Sequence, residues 1–394
     1  MIDCYKRISK RLTAAICLAA LSLTSCGLIE VRDSYVETEV GEAEAGIMLA
    51  QAERRNEVEV RAETFDSAIY AGEAEEPETV IKFTAVGDIR FDSDIVADAA
   101  NRAGEGSGYS FLKMFSAVYR DVRDADLAIG RDSSIAVECT SGAKNTDVVE
   151  GEDDSKTAEM PVEAMAAMAE LGFEALDTGS SVKPDRKYAE NMKEYGVVDL
   201  DPTKSADDGI YTFEKDGVVV AVLSADAEKT DGLLENVEYA DFISDVVIVS
   251  LKWGSADHDS TAYSIADAGA DIIIGSGDTL GGVKWIDTGD GTLTLSVDSL
   301  GTFVATGENA DELCGGILSV EISKYADQIS LDNVCIEPTL VHFEAEHSNY
   351  QVFKLSEYKN EIIAANAINE IDPSTMIEKV RGIVGAEFLP SDLK

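Results

Sequence analysis

The chain has 394 residues, 45% of them hydrophobic, enough for one large or two ordinary domains with a full core. Its 76 Asp and Glu against 32 Lys and Arg give a formal charge of −44. That balance excludes nucleic-acid binding, which needs a basic face against phosphates, and adhesion to anionic lipid through a polybasic patch. A low Pro and Gly content argues against a disordered or fibrous chain. With three histidines in all, a multi-histidine metal centre would need nearly every one of them.

At the N-terminus, Lys6, Arg7, Lys10 and Arg11 precede a 12-residue apolar run, Leu12–Leu23, too short to span a bilayer as a helix. The run ends in Leu23-Thr24-Ser25-Cys26-Gly27, which resembles a bacterial lipobox. The resemblance implies a lipoprotein signal peptide over 1–25, lipid attachment to Cys26, and an extracytoplasmic chain anchored to a bacterial membrane. Residues 1–25 carry a net +3, so their removal leaves a mature charge of −47. An anionic surface repels such a body, which leaves the lipid as the anchor, and two or more acyl chains give stable attachment. Residues 26–79 read as an acidic stalk, with 15 acidic and 4 basic residues between Glu30 and Glu78.

Val80–Val86 reads as a strand from its β-branched content and ends in Gly87-Asp88-Ile89. Short apolar strands are predicted at Leu127–Gly130, Val218–Ser224, Val246–Leu251 and Asp271–Gly275. Helical patterns lie between them at Tyr109–Arg123, Pro161–Leu171, Pro184–Tyr195 and Ser260–Ala268. This alternation predicts an α/β fold whose ligands gather at strand C-termini. A β-rich part follows. Val283–Thr288 and Thr292–Val297 flank a Gly289-Asp290-Gly291 turn, and Gly316–Ser323 with Gln328–Cys335 forms a second hairpin. Residues 359–394 read as a C-terminal helical tail.

The strand-end motifs, taken together, resemble the bacterial CapA family of poly-γ-glutamate capsule biosynthesis proteins. The segments are Phe83–Ile89, Ala125–Gly130, Leu171–Glu174, Val247–Gly254, Asp267–Gly275 and Ser299–Phe303, and they occur in the family's order within residues 80–358. The resemblance implies a calcineurin-like metallophosphoesterase sandwich, two β-sheets flanked by helices. It also implies a cleft at the strand ends formed by Asp88, Arg131, Asp132, Ser180, Ser181, Asp185, Lys252, Trp253, Ser276, Asp278 and Thr279. Here the chain departs from the family. Where the family carries metal-binding histidines, this sequence has Val182, Lys252, Ser276 and Thr279. The ligand inventory thus points to a degenerate site with no metal or other cofactor, a pseudoenzyme rather than a catalyst. Arg131 and Lys252 stand where they can neutralise the remaining carboxylates, so at least one is expected within ion-pair distance of Asp88 or Asp132.

Two readings of function follow. The first is a surface lipoprotein associated with biosynthesis or binding of capsule, poly-γ-glutamate or another cell-envelope polymer, or with an envelope protein. The second is a divalent-metal hydrolase of phosphoester or γ-glutamyl bonds. Its site would be all oxygen, built on Asp88, Asp132 and Asp278 and suited to Ca²⁺ or Mg²⁺, with Asp92 and Asp94 close by. His258 follows a strand end within reach of the cleft or in a surface loop, while His342 and His347 flank a tail segment. Cys139 adjoins an acidic insertion. Cys314 and Cys335 lie near the open ends of the second hairpin, a placement that permits a disulfide if the register brings them opposite.

Overall fold

The structure, a computed structural model, describes residues 76–104, 108–133, 161–179, 186–202, 209–228, 232–289, 291–326, 328–368 and 371–394, with backbone only for 186–189. Cys26, Cys139, Ser180, Ser181, Val182 and Asp185, and with them the expected signal peptide and most of the stalk, lie outside the described residues. The chain divides into two units, Met1–Glu57 and Val58–Lys394, and every described residue belongs to the second.

Strands and helices alternate as the sequence pattern demands. The strands are β1 (Thr79–Ile89), β2 (Leu127–Asp132), β3 (Phe173–Asp177), β4 (Val198–Leu200), β5 (Ile210–Lys215), β6 (Val218–Asp226) and β7 (Val246–Lys252). They continue with β8 (Ile272–Gly275), β9 (Val283–Asp287), β10 (Leu293–Val297), β11 (Thr302–Val304), β12 (Cys314–Tyr325), β13 (Gln328–Glu344) and β14 (Ser348–Lys354). One sheet runs β14-β13-β12-β1-β2-β3-β4, with β11 also pairing β1; the other runs β5-β6-β7-β8-β10-β9. Both mix parallel and antiparallel pairs. The fold is therefore the expected α/β sandwich of two sheets flanked by helices.

Strand alternation builds its layers. Val220, Val222, Val246, Ile248, Ile272 and Leu295 of the second sheet join one core with Ile81, Phe83, Leu127 and Ile129 of the first. Their neighbours Ala221, Leu223, Val247, Val249 and Ile273 point the other way, against the helices Leu233–Ile243 and His258–Asp267. Each strand in the middle of the second sheet is thus apolar on both faces, which is why it reads as a continuous Val/Ile run.

The sequence expectations survive with adjustments. The β9–β10 hairpin forms with Leu293 opposite Asp287, and β12–β13 forms the second hairpin. The expected Tyr109–Arg123 helix is interrupted. A 3₁₀ turn at Leu112–Phe115 and a short helix at Tyr119–Arg123 replace it, while Phe111, Met114, Phe115, Val118 and Val122 keep their buried spacing. The tail contains helices Asn360–Ala365 and Pro373–Val384, and it packs Met376, Val380, Val384, Phe388 and Leu389 into the main core. Among the described residues no helix is long and apolar enough to cross a membrane.

The disulfide expectation is corrected. The β12–β13 turn falls between Tyr325 and Gln328, and a register shift follows between Ser319 and Glu321. Cys314 therefore stands opposite Leu340, and Cys335 opposite Ser319. Both thiols are free. Cys314 is buried, which pushes its thiol up to about 12.

Candidate functional site: a carboxylate–guanidinium row between two sheets

Three adjacent parallel strands end in charged residues at the same level. Asp88 of β1 is in register with Arg131 of β2, and Arg131 with Asp177 of β3. Residues in register on neighbouring strands project to the same side, so the pleat lines the three side chains up as a row. Arg131 Nε lies 3.7 Å from Asp88 Oδ1, and its Nη1 lies 3.2 Å from Asp177 Oδ2. The guanidinium thus bridges two carboxylates, as the sequence reading expects for Asp88. Asp177 is 1% exposed, Asp88 and Arg131 each 13%.

Asp177 is the anchor of the row. Its Oδ1 accepts hydrogen bonds from Ser224 Oγ at 2.8 Å and the Gly179 backbone N–H at 2.9 Å. Its Oδ2 accepts from Ser250 Oγ at 2.5 Å. Ser224 and Ser250 belong to β6 and β7, so this carboxylate ties the two sheets together. A buried carboxylate with this many donors and a guanidinium is compensated for its lost hydration.

Asp88 is less well served. Burial raises its carboxyl from 3.8 to about 6. Arg131 opposes that shift, nearby Asp278 adds to it, and a hydrogen bond from Ser133 counters part of it. The row therefore approaches neutrality by two routes, a fixed cation and a carboxyl that holds its proton more tightly.

Backbone fits close to backbone around these residues. A Cβ on Gly87 would come within 2.1 Å of the Gly301 carbonyl oxygen, and one on Gly275 within 2.0 Å of Trp253 Nε1. Gly179, in the left-handed region at φ 66°, faces the guanidinium so closely that a Cβ would sit 2.9 Å from Arg131 Nη2. The space left, lined by Gly87, Asp88, Arg131, Ser250, Gly275 and Gly301, is a cavity of about 20 Å³. That is room for about one water molecule.

The other predicted cleft residues separate. Asp132 is buried, but it follows Arg131 on the strand, so its side chain takes the opposite face. Lys252 Nζ lies 3.8 Å from Asp226 Oδ2, its register partner on β6, and makes no ion pair with Asp88 or Asp132. Ser276 is half-buried, with its backbone N–H bonded to Leu251, while Asp278 and Thr279 are exposed. Trp253 is buried and donates to the Asp298 carbonyl, and His258 stacks on its ring at 4.2 Å. Asp92 is engaged by Arg90 and Thr306, and Asp94 faces His347.

Asp278 lies near enough to act on the Asp88 carboxyl while Asp132 takes the other face, and among the described residues no three His, Cys, Asp or Glu side chains form a group able to hold a metal. The metal pair implied by the family resemblance does not fit the described donor set. Its carboxylates already face cations, Asp88 and Asp177 at Arg131 and Asp226 at Lys252, and Lys252 stands where an imidazole is expected.

Sequence reasoning missed Asp177, Ser224, Ser250 and Asp226. The signal was present: each is a polar residue at or near the C-terminal end of an otherwise apolar buried strand, where an isolated polar group requires a partner.

No family model matches this sequence, and no curated protein matches it. Among solved structures, it is similar to a hypothetical protein from Thermus thermophilus, with a TM-score of 0.39 and 14% identity over 66% of this chain and 98% of the other. A phosphatase from Mycoplasma pneumoniae gives a TM-score of 0.39 and 11% identity over 66% and 94%. A calcineurin-like phosphoesterase from Bacillus subtilis gives 0.33 and 9% identity over 77% and 98%.

Proposed function

We propose that this chain is an extracytoplasmic lipoprotein, anchored through Cys26, whose α/β body binds a cell-envelope polymer or envelope protein and does not hydrolyse it. One observation carries the non-catalytic part: the Arg131 guanidinium lies between Asp88 and Asp177. A cation built into the chain already sits between the strand-end carboxylates and offsets one of their two charges. A divalent ion would have to displace it against charge repulsion and then find ligands that the described residues do not supply. The partner class follows from the CapA resemblance and the lipobox. With a mature charge of −47, binding to a polyanion such as poly-γ-glutamate needs bridging cations or a local basic groove.

Two measurements test this reading. The purified mature chain is expected to leave phosphodiester and γ-glutamyl substrates intact with Mn²⁺, Mg²⁺ or Ca²⁺ supplied. Turnover that Arg131→Met abolishes or enhances would return the hydrolase. For the anchor, Cys26→Ala is expected to move the full-length protein out of the membrane fraction or leave it uncleaved, because the thiol is the acylation point. Unchanged partitioning and mass would remove the lipoprotein.

A further inference from the structure

A second buried polar cluster lies far along the chain from the charged row, where the C-terminal segment meets the first sheet. His342 of β13, Tyr358 and Asn366 are 3%, 4% and 6% exposed. His342 Nδ1 lies 2.9 Å from Tyr358 Oη and 3.3 Å from Asn366 Nδ2, and Asn366 Nδ2 lies 2.6 Å from Tyr358 Oη.

The donors and acceptors in this cluster favour one arrangement, because the Asn366 NH₂ that faces Nδ1 can only donate. Asn366 Oδ1 accepts the Ile368 backbone N–H at 2.7 Å, which fixes the amide and turns its NH₂ toward the other two residues. Tyr358 Oη then accepts from Asn366 and has its own proton to give. His342 Nδ1 is the group that can take it, so Nδ1 carries a lone pair and the imidazole is neutral with its proton on Nε2. A second proton would turn Nδ1 into a donor against the Asn366 NH₂ and would force the Tyr358 hydroxyl, which already accepts from Asn366, to turn its own proton away.

We infer that His342, Tyr358 and Asn366 form an acid-sensitive clasp that holds the C-terminal segment on the first sheet, closed while His342 is neutral and opened by its protonation. Asn366 belongs to the segment being held, and Tyr358 lies at the point where the chain enters it. The adjoining Ala367 N–H bonds the Phe343 carbonyl at 2.8 Å, which adds a backbone tie at the same point.

The surroundings favour the neutral ring. Glu344, on the same strand, places Oε1 3.9 Å from Nε2 and favours the charged form. β14 presents Phe353, edge-on at 5.7 Å, and Gln351 in register, neither of them charged. Tyr358 is pushed up to about 12 by burial and stays neutral. Burial outweighs Glu344 and lowers the imidazole from its ordinary 6.5. A base lowered on folding contributes stability above about 6.5 that is lost as the pH falls toward its folded value.

Other buried groups work in the opposite sense. Burial raises Asp88 to about 6 and Glu337 to about 7, and Asp392 of the C-terminal segment adds to the rise of Glu337. Their protonation strengthens the fold and eases repulsion under that segment. A loss of protection confined to the C-terminal segment is therefore specific to the clasp.

Hydrogen exchange on the full mature chain tests it, compared between about pH 7.5 and about pH 5 after correction for intrinsic rates. Amides of residues 360–394 are expected to lose up to about tenfold protection per pH unit below 6.5 while the sheets do not, the slope of one linked proton. His342→Asn keeps an acceptor near the Nδ1 position but cannot titrate, so its segment is expected to stay equally protected at both values. If that variant does not fold, imidazole exchange in the wild type reads His342 directly, and its midpoint is expected below 6.5 and coincident with the segment's opening. Protection of 360–394 that ignores pH in the wild type, or that falls equally in His342→Asn, would overturn the clasp.

Discussion

Replacing Arg131 with methionine is expected to cost the folded chain about 3–5 kcal/mol at neutral pH, the range for breaking a buried ion pair from one side. The loss comes from the carboxylates left behind rather than from the missing contact. Asp177 keeps its hydrogen bonds from Ser224, Ser250 and Gly179, whereas Asp88 loses the cation that holds its carboxyl down. The stranded Asp88 then buries an uncompensated charge or takes up a proton, and the cost shrinks as the pH is lowered. A second change, Asp88→Asn, is expected to restore much of the stability, because it removes the charge the first change exposed. Urea midpoints of the two variants at about pH 8 and about pH 5 make the comparison. An Arg131→Met chain as stable as the wild type, or a double variant no better than the single, would show that the guanidinium does not compensate Asp88.

Asp88→Asn alone is expected to stabilise the chain at alkaline pH, an unusual sign for removing a charge at a strand end. The folded carboxyl takes up its proton near pH 6, the unfolded one near 3.8. Its contribution is therefore complete below about 3.8 and is lost as the pH rises through about 6. By about pH 8 the wild type has forgone on the order of 3 kcal/mol at this residue. The asparagine variant does not titrate, so the two stability curves are expected to diverge between about pH 4 and about pH 6 and run parallel above. Curves parallel throughout would mean that Asp88 is well hydrated and the row is open to water.

Much of this arrangement was legible in the sequence because it rests on local rules. The β-branched run before Gly87-Asp88-Ile89 located β1, the turn at Gly289-Asp290-Gly291 located the β9–β10 hairpin, and strand order placed Arg131 beside Asp88. What escaped depends on distant partners. Asp177 gains its role from Ser224 and Ser250, 47 and 73 residues away on the other sheet, and no spacing rule connects them. Lys252 was legible as a cation at a strand end, but its choice of Asp226 over Asp88 is set by which sheet β7 joins. The two cysteines show the limit of register arithmetic. Facing each other would need a turn centred between Lys324 and Tyr325; the turn between Tyr325 and Gln328 and one added bulge move them five rungs apart. Asp132 teaches the same lesson at single-residue scale, since one step along β2 exchanges the row for the opposite face.

The most direct test of the account is the metal content of the mature chain, purified without chelator and measured by elemental analysis beside Arg131→Met. If Arg131 supplies the cation that the strand-end carboxylates require, the wild type contains no stoichiometric Mn, Fe, Zn, Ca or Mg. An equivalent or more of any of these in the wild type, lost on replacing Asp88 or Asp177, would contradict it and establish a metal site at the row.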